Sequence, residues 1–381
     1  MDIQCISSLN SVAPAAWDAL LIENHPLLSH AFLYAMEQNG CLTRQSGWIP
    51  RYLVVYDNGE LVAAMPLYEK TNSWGEFVFD HAWADAYARY GVPYYPKLVA
   101  AIPFSPVFGQ KLLTKAGRQD ELYPVLLDGA LQAAKQLGSS SLHILFPLEQ
   151  EQHFLEQQGL IARHDCQYHW QNKAYASFAE FLATLGRKKR KNITQERRRV
   201  ADAGIRFRRL DGDTATPDDW EMFTEFYNLT YERKWGAPVF NRVFFQSVAQ
   251  ALGKHLLLIM ADKEGVSIAG ALMYHSDRVL YGRHWGCTEY HDALHFEACY
   301  YQGIEYCIEH GIEIFEPGAQ GPHKLARGFE PSRTHSAHWL ADARFVPAVT
   351  QFCADETFAV EQHITDAKTH SAYKINKIQS K

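Results

Sequence analysis

The feature that most constrains this chain is that it repeats itself at long range. "GELVAAMPLY" (residues 59–68) and "GVSIAGALMY" (residues 265–274) keep a constant offset of 206 from glycine to tyrosine. Upstream of each, residues 17–40 and 220–253 read as a Trp-led apolar helix, a proline, and a second helix. That second helix starts behind a capping residue, Ser29 or Asn241, and stops at a glycine. Downstream, "ALQAAKQLGSSSLHILFP" and "YYQGIEYCIEHGIEIFEP" each give a helix, a glycine and a short apolar strand. A duplication with this spacing indicates two domains in tandem, because solenoid repeats recur about every 20 to 50 residues.

The second copy shows its meander plainly. "HLLLIMA", "VSIAGALMYH" and "VLYGRHWGCT" are strand-like runs separated by the turns "DKEG" and "SDR", and they feed a helix and a further strand. The expected fold class is α+β, with mixed, mainly antiparallel sheets in residues 1–172 and again in residues 173–381.

Composition narrows the class. Of 381 residues, 47% are hydrophobic and 21% charged, an ordinary globular balance. The seven cysteines are scattered, odd in number and without a CxxC pair, which points to reduced thiols in a cytoplasm and not to a disulfide or zinc framework. The N-terminus lacks the basic and apolar regions of a signal peptide, and no apolar run is long enough to span a bilayer. Charge is uneven: between Arg187 and Arg209 eleven Lys and Arg stand against two acids in a chain of net charge −6. This stretch reads as a basic helical insertion at 187–209. Its apolar positions are sparse, mainly Ile193 and Val200, so it is either a solvated face or a polyanion-binding surface.

Chemistry concentrates in the second copy. On a helical wheel of about 100° per residue, His295, Gln302, Glu305 and Glu309 share one arc of residues 294–310, and Glu297 lies nearly opposite among Leu294, Tyr301, Ile304 and Ile308. A carboxylate on an apolar stripe is a general-base candidate or a hydrogen-bonded structural group. Glu316 ends the strand "IEIFE" and emerges at the mouth of "PGAQGPHKLARGFEP". There Gly318, Gln320 and Gly321 let a ligand approach the backbone, a helix starting near Pro322 would aim N–H groups at an anion, and His323, Lys324 and Arg327 lie three or four residues apart. Arg283 and Gly286 close the third meander strand, and Trp285, His295 and Tyr300 are neighbouring substrate-binding candidates. In the first copy His81, Trp83, Asp85, Tyr94, Tyr95 and Lys97 crowd into residues 79–98 as a candidate substrate wall or a tyrosine-rich packing loop. His295 and Cys299 lack a third orienting group for a nucleophilic pair, and no HExxH-type metal spacing occurs.

The segment "YGRHWGCTEYHDALHFEACYYQGIEYCIEHGIEIFEPGAQGPHKLARGFEP", with "FDHAWADAYARYGVPYYPKL", "PFSPVFGQKLL" and "RKKRKNITQERRRV", resembles a bacterial N-acyltransferase family related to the Fem-type peptidyltransferases of the GNAT superfamily. The resemblance runs from about residue 17 to residue 339. It implies two tandem GNAT-like domains and transfer of an acyl or aminoacyl group to an amine, from acyl-CoA or aminoacyl-tRNA as cosubstrate with no tightly bound cofactor. The acceptor would be a small-molecule or peptide amine, such as a cell-wall precursor or amino-acid conjugate, and the basic run would contact tRNA. The superfamily's pyrophosphate loop maps onto Arg283, Gly286 and Thr288, where Thr replaces a smaller residue; the Fem-type Phe-Lys-x-x-Phe-Gly segment maps onto "HKLARGF", with Lys324 and Arg327 as its cations. The competing expectation is a non-catalytic module that binds a peptidoglycan precursor on the same fold.

Overall fold

The computed structural model describes residues 1–233, 236–319 and 321–374. The chain forms two compact units: Met1–Cys166 with Arg333–Gln362, and Gln167–Ser332 with the residues from His363 onward.

In the first unit, strands Asp2–Ile6, Tyr52–Asp57, Glu60–Met65 and Leu113–Thr114 form an antiparallel sheet in that order. In a separate sheet, Trp48–Pro50, Leu67–Lys70, Lys97–Ala100 and Ser141–Leu145 lie in that order, paired antiparallel except for Lys97–Ala100 with Ser141–Leu145, which are parallel. Helix Gln119–Gln136 buries Leu122, Leu126, Ala130 and Ala133 at helical spacing against Leu53, Val55 and Ile144. Ser29 accepts a hydrogen bond from Phe32 N and caps His30–Gln38. The Trp-led helix before it is short, only Pro14–Asp18, with Trp17 buried.

The second unit has the strand order Ile205–Leu210, Leu256–Lys263, Val266–His275, Val279–Cys287 and Ile314–Glu316, followed by residues 170–171. All pairs are antiparallel except Val279–Cys287 with Ile314–Glu316. Leu256 to Ala261 are buried without alternation, as expected for a central strand covered on both faces. Asn241 caps Arg242–Leu252 and Gly253, at φ +52°, ends it.

The basic segment is helical only over Arg187–Asp202, with Ile193 and Val200 as its buried residues. Gly204, at φ +74°, stops the helix, and Ile205–Leu210 becomes the edge strand of the sheet. The expected helix to residue 209 is therefore corrected: the alternating sequence I-R-F-R-R-L has strand periodicity, which the count of positive charges masks.

Candidate functional site

Two parallel strands part at the centre of the second unit. Val279, Leu280 and Tyr281 pair with Ile314, Phe315 and Glu316, and the ladder ends there because Pro317 has no N–H to continue it. On its other side Val279–Cys287 carries a bulge: Leu272 faces His284 and Met273 faces Gly282, so Arg283 is the extra residue. A bulge re-aims a side chain, and Arg283 lines a cavity of about 270 Å³ at the parting. Trp285 borders the same space from the strand, His295, Cys299 and Tyr300 from the helix, and Gly318, His323 and Lys324 from the following turn.

The cavity is cationic. Among the described residues no carboxylate lines it, whereas two basic side chains do. Lys324 is 1% exposed, and its Nζ donates to the Gly318 carbonyl at 2.5 Å; burial pulls its pKa down to about 8. Burial lowers the half-buried Arg283 to about 10, opposed by nearby Tyr231, Tyr274, Tyr227 and Glu316. Both remain cations at neutral pH. His323 stands at the rim with Nε2 2.9 Å from the Tyr300 hydroxyl, and burial together with the charges of Arg327 and Lys324 lowers its pKa, so the imidazole is neutral. His295 packs edge-on against Trp285 and Tyr300. Burial pushes the Cys299 thiol far up, which removes the thiolate a nucleophile would need.

Residues 8–375 match the FemAB-like family, described as acting in peptidoglycan biosynthesis/recognition. The chain belongs to the FemAB-like family. Among solved structures FemX is 14% identical and superposes with a TM-score of 0.56 over 92% of this chain and 100% of its own. The C-terminal domain of a putative lysylphosphatidylglycerol synthetase from Agrobacterium fabrum is 11% identical, with a TM-score of 0.54 over 91% of this chain and 95% of its own. A tandem GNAT protein from the clavulanic acid pathway is 13% identical, with a TM-score of 0.44 over 90% of this chain and 98% of its own. No curated protein matches the sequence. The fold is mixed α+β, shared with FemX and with the synthetase domain.

Several expected site residues lie elsewhere in this FemAB-like chain. Glu297 is 3% exposed but does not line the cavity: Arg197 Nη2 approaches it at 3.0 Å and Gln302 Nε2 at 2.8 Å. The wheel's buried placement of Glu297 and its alternative of a hydrogen-bonded structural group agree with this, but Glu297 does not stand opposite Gln302 and Glu305: Glu297–Tyr301 is a π-helical turn between Leu294–Phe296 and Gln302–His310, which rotates the two halves out of α-helical phase. Arg327 is likewise committed, donating to Tyr301 Oη at 3.0 Å, to the His323 carbonyl at 2.9 Å and to Glu196 at 2.8 Å. Gly286 is the penultimate residue of Val279–Cys287 and lies beneath helix Pro217–Glu232, where a Cβ would lie 1.9 Å from the Phe226 carbonyl oxygen. It permits close helix–strand packing. Gly318 and Gly321 do adopt positive φ, +96° and +121°, and the helix expected near Pro322 is there as a 3₁₀ helix, Pro322–Arg327. Glu316 is buried at the parting of the strands. Gln320 lies outside the described residues.

The first-unit group does not assemble into a wall. Trp83 and Tyr94 are core residues, His81 and Asp85 face solvent, Tyr95 shares a hydrogen bond with Ser73 at 2.6 Å, and Lys97 is buried in ion pairs with Asp80 and Glu76. Glu76 and Lys70, which complete that buried cluster, carry no spacing signal in the sequence. The first unit's own parallel pairing ends at Ala100 and Ile144, and just beyond the strand the Phe146 carbonyl accepts from Lys111 Nζ at 3.1 Å and Gly109 N at 3.3 Å.

Proposed function

We propose that this FemAB-like chain transfers an aminoacyl group from aminoacyl-tRNA to the amine of a peptidoglycan-precursor peptide, with the donor carbonyl in the cavity of the second unit. The observation that carries this reading is a carboxylate-free cavity at a parting strand pair, with Lys324 and Arg283 as its cations. The family description supports the acceptor class.

The choice of donor rests on two further features. Arg283 and Gly286 lie inside a strand, and the residues between it and the helix start at Leu294 include Glu289 and Asp292, a poor setting for the pyrophosphate of CoA. Arg197, Arg199, Arg208 and Arg209 are taken up by internal carboxylates. Among the described residues, Arg187, Lys188, Lys189, Arg190 and Lys191 form no ion pair and crowd the first turns of their helix, where the macrodipole disfavours cations. A polyanionic donor would relieve that repulsion.

In the proposed reaction the neutral acceptor amine attacks the ester carbonyl, a C–N bond forms, and the carbonyl π pair moves to oxygen opposite the Lys324 ammonium. His323 accepts the amine proton as the intermediate collapses and the C–O bond breaks; Tyr300, hydrogen-bonded to His323, delivers a proton to the leaving ribose oxygen. Glu316 supports the charge of Arg283. The test is transfer of radiolabel from charged tRNA to a precursor pentapeptide, alongside labelled acyl-CoA. Label moving from tRNA alone supports the proposal. Label moving from acyl-CoA alone overturns the donor, and binding without transfer overturns the enzyme in favour of a recognition module.

A further inference from the structure

Residues 71–80 of the first unit join strand Leu67–Lys70 to helix His81–Arg89, and they have the polarity of a soluble loop turned inside out. Both acids face inward: Glu76 is 3% and Asp80 2% exposed. The large apolar side chains face outward, Trp74 at 61%, Phe77 at 37% and Phe79 at 57%. An isolated exposed aromatic is ordinary, but three within six residues of a loop that shows solvent no charge are not.

The inward half fixes the loop rigidly. Lys97 Nζ bonds Glu76 Oε2 at 2.8 Å, Ser73 Oγ at 3.2 Å and also Asp80, whose carboxylate accepts from Tyr94 and Ser73 at 2.6 Å. Lys70 Nζ stands 3.9 Å over the Trp48 ring. The loop's backbone is supported from beneath as well: the Trp74 carbonyl accepts from Trp48 Nε1 at 2.9 Å and Lys70 Nζ at 3.0 Å, and the Phe79 carbonyl from Arg163 Nη1 at 2.9 Å. Carbonyls satisfied from the protein side lose little when water leaves the outer side.

We infer that this loop is a membrane-docking element that seats Trp74, Phe77 and Phe79 in the interfacial layer of a lipid bilayer. Three properties favour lipid over a protein partner: no outward charge to pair with, the Trp74 and Phe79 carbonyls already hydrogen-bonded from the protein side, and a Trp whose amphipathic ring suits the headgroup level. Among the described residues no helix is long and apolar enough to cross a membrane, so the attachment is peripheral. This inference is independent of the transferase reading.

The test is co-sedimentation of the full chain with phosphatidylcholine vesicles, with and without phosphatidylglycerol, together with quenching of tryptophan fluorescence by brominated lipid. Expected are binding to both vesicle types that survives high salt, and a partition coefficient at least about tenfold lower for the double variant Trp74→Ser, Phe79→Ser. The conservative variant Trp74→Phe should retain binding, which separates docking from folding. No vesicle binding by the unmodified chain overturns the proposal. So does binding that salt abolishes and the double variant retains, which would place attachment on the basic helix. A concentration-dependent dimer lost in the double variant overturns it in favour of a second copy as occupant.

Discussion

Gln302 Nε2 donates to Glu297 Oε1 across 2.8 Å, a contact between residues five apart on one helix. That spacing brings side chains together only through a π turn; in a regular helix it is residues three or four apart that meet. The carboxylate so placed also receives Arg197 from 100 positions earlier in the chain. Glu297 is thereby a joint between the basic helix and the cavity helix.

Replacing Glu297 with Ala should therefore act on folding. It leaves the partly buried Arg197 with one carboxylate fewer, and about 3 kcal/mol of stability should be lost in urea denaturation. The rate of the folded variant should stay within about tenfold of the original; a drop of several hundredfold with stability intact would return Glu297 to the chemistry.

Lys324→Met keeps the apolar stem and removes the charge, and transfer should slow by about a hundredfold with little change in binding of the acceptor. Because burial lowers the Lys324 pKa to about 8, the ammonium is present below that pH and lost above it. The rate should fall as pH rises through about 8. In Lys324→Arg the guanidinium stays protonated, and that alkaline limb should disappear from the pH–rate profile.

Gly286→Ala should cost at least about 3 kcal/mol, since its methyl would overlap the Phe226 carbonyl, which cannot move without shifting a helix. Gly318→Ala meets nothing nearer than the Gly282 carbonyl oxygen at 3.6 Å and should cost only the strain of its positive φ, about 1 kcal/mol. Thermal denaturation of the two variants separates packing from backbone strain.

Neutralising Lys188, Lys189 and Arg190 to Gln should leave stability within about 0.5 kcal/mol and weaken charged-tRNA binding, with the slope of log K against log salt reduced by about 2 to 3. An unchanged slope would remove the basic helix from the donor site.

Much of the fold was legible in residue order. The caps Ser29 and Asn241 and the apolar meander runs are local signals, and each sits in the element it implied; of the segments at the 206-residue offset, 266–274 lies in one strand and 60–68 is split at Pro66 between two. In the candidate site Arg283, Trp285, His295, Tyr300, Gly318, His323 and Lys324 come together, because a strand end, a helix start and a glycine-rich turn close in sequence are close in space. Glu297 and Arg327 have the residue types of a site, but partners supplied by the basic helix, Arg197 and Glu196, hold them outside the cavity.

The sequence by itself determined the α+β class, many strands and helix ends, and a turn rich in glycine and positive charge, because hydrophobic period and backbone preference act over a few residues. Only the tertiary structure decided which charges are consumed and which remain available, and that residues 333–362 pack with the first unit. Charge pairing is a property of distance in space, and the partners of Arg197, Arg327 and Arg163 lie roughly one to two hundred residues away in the chain.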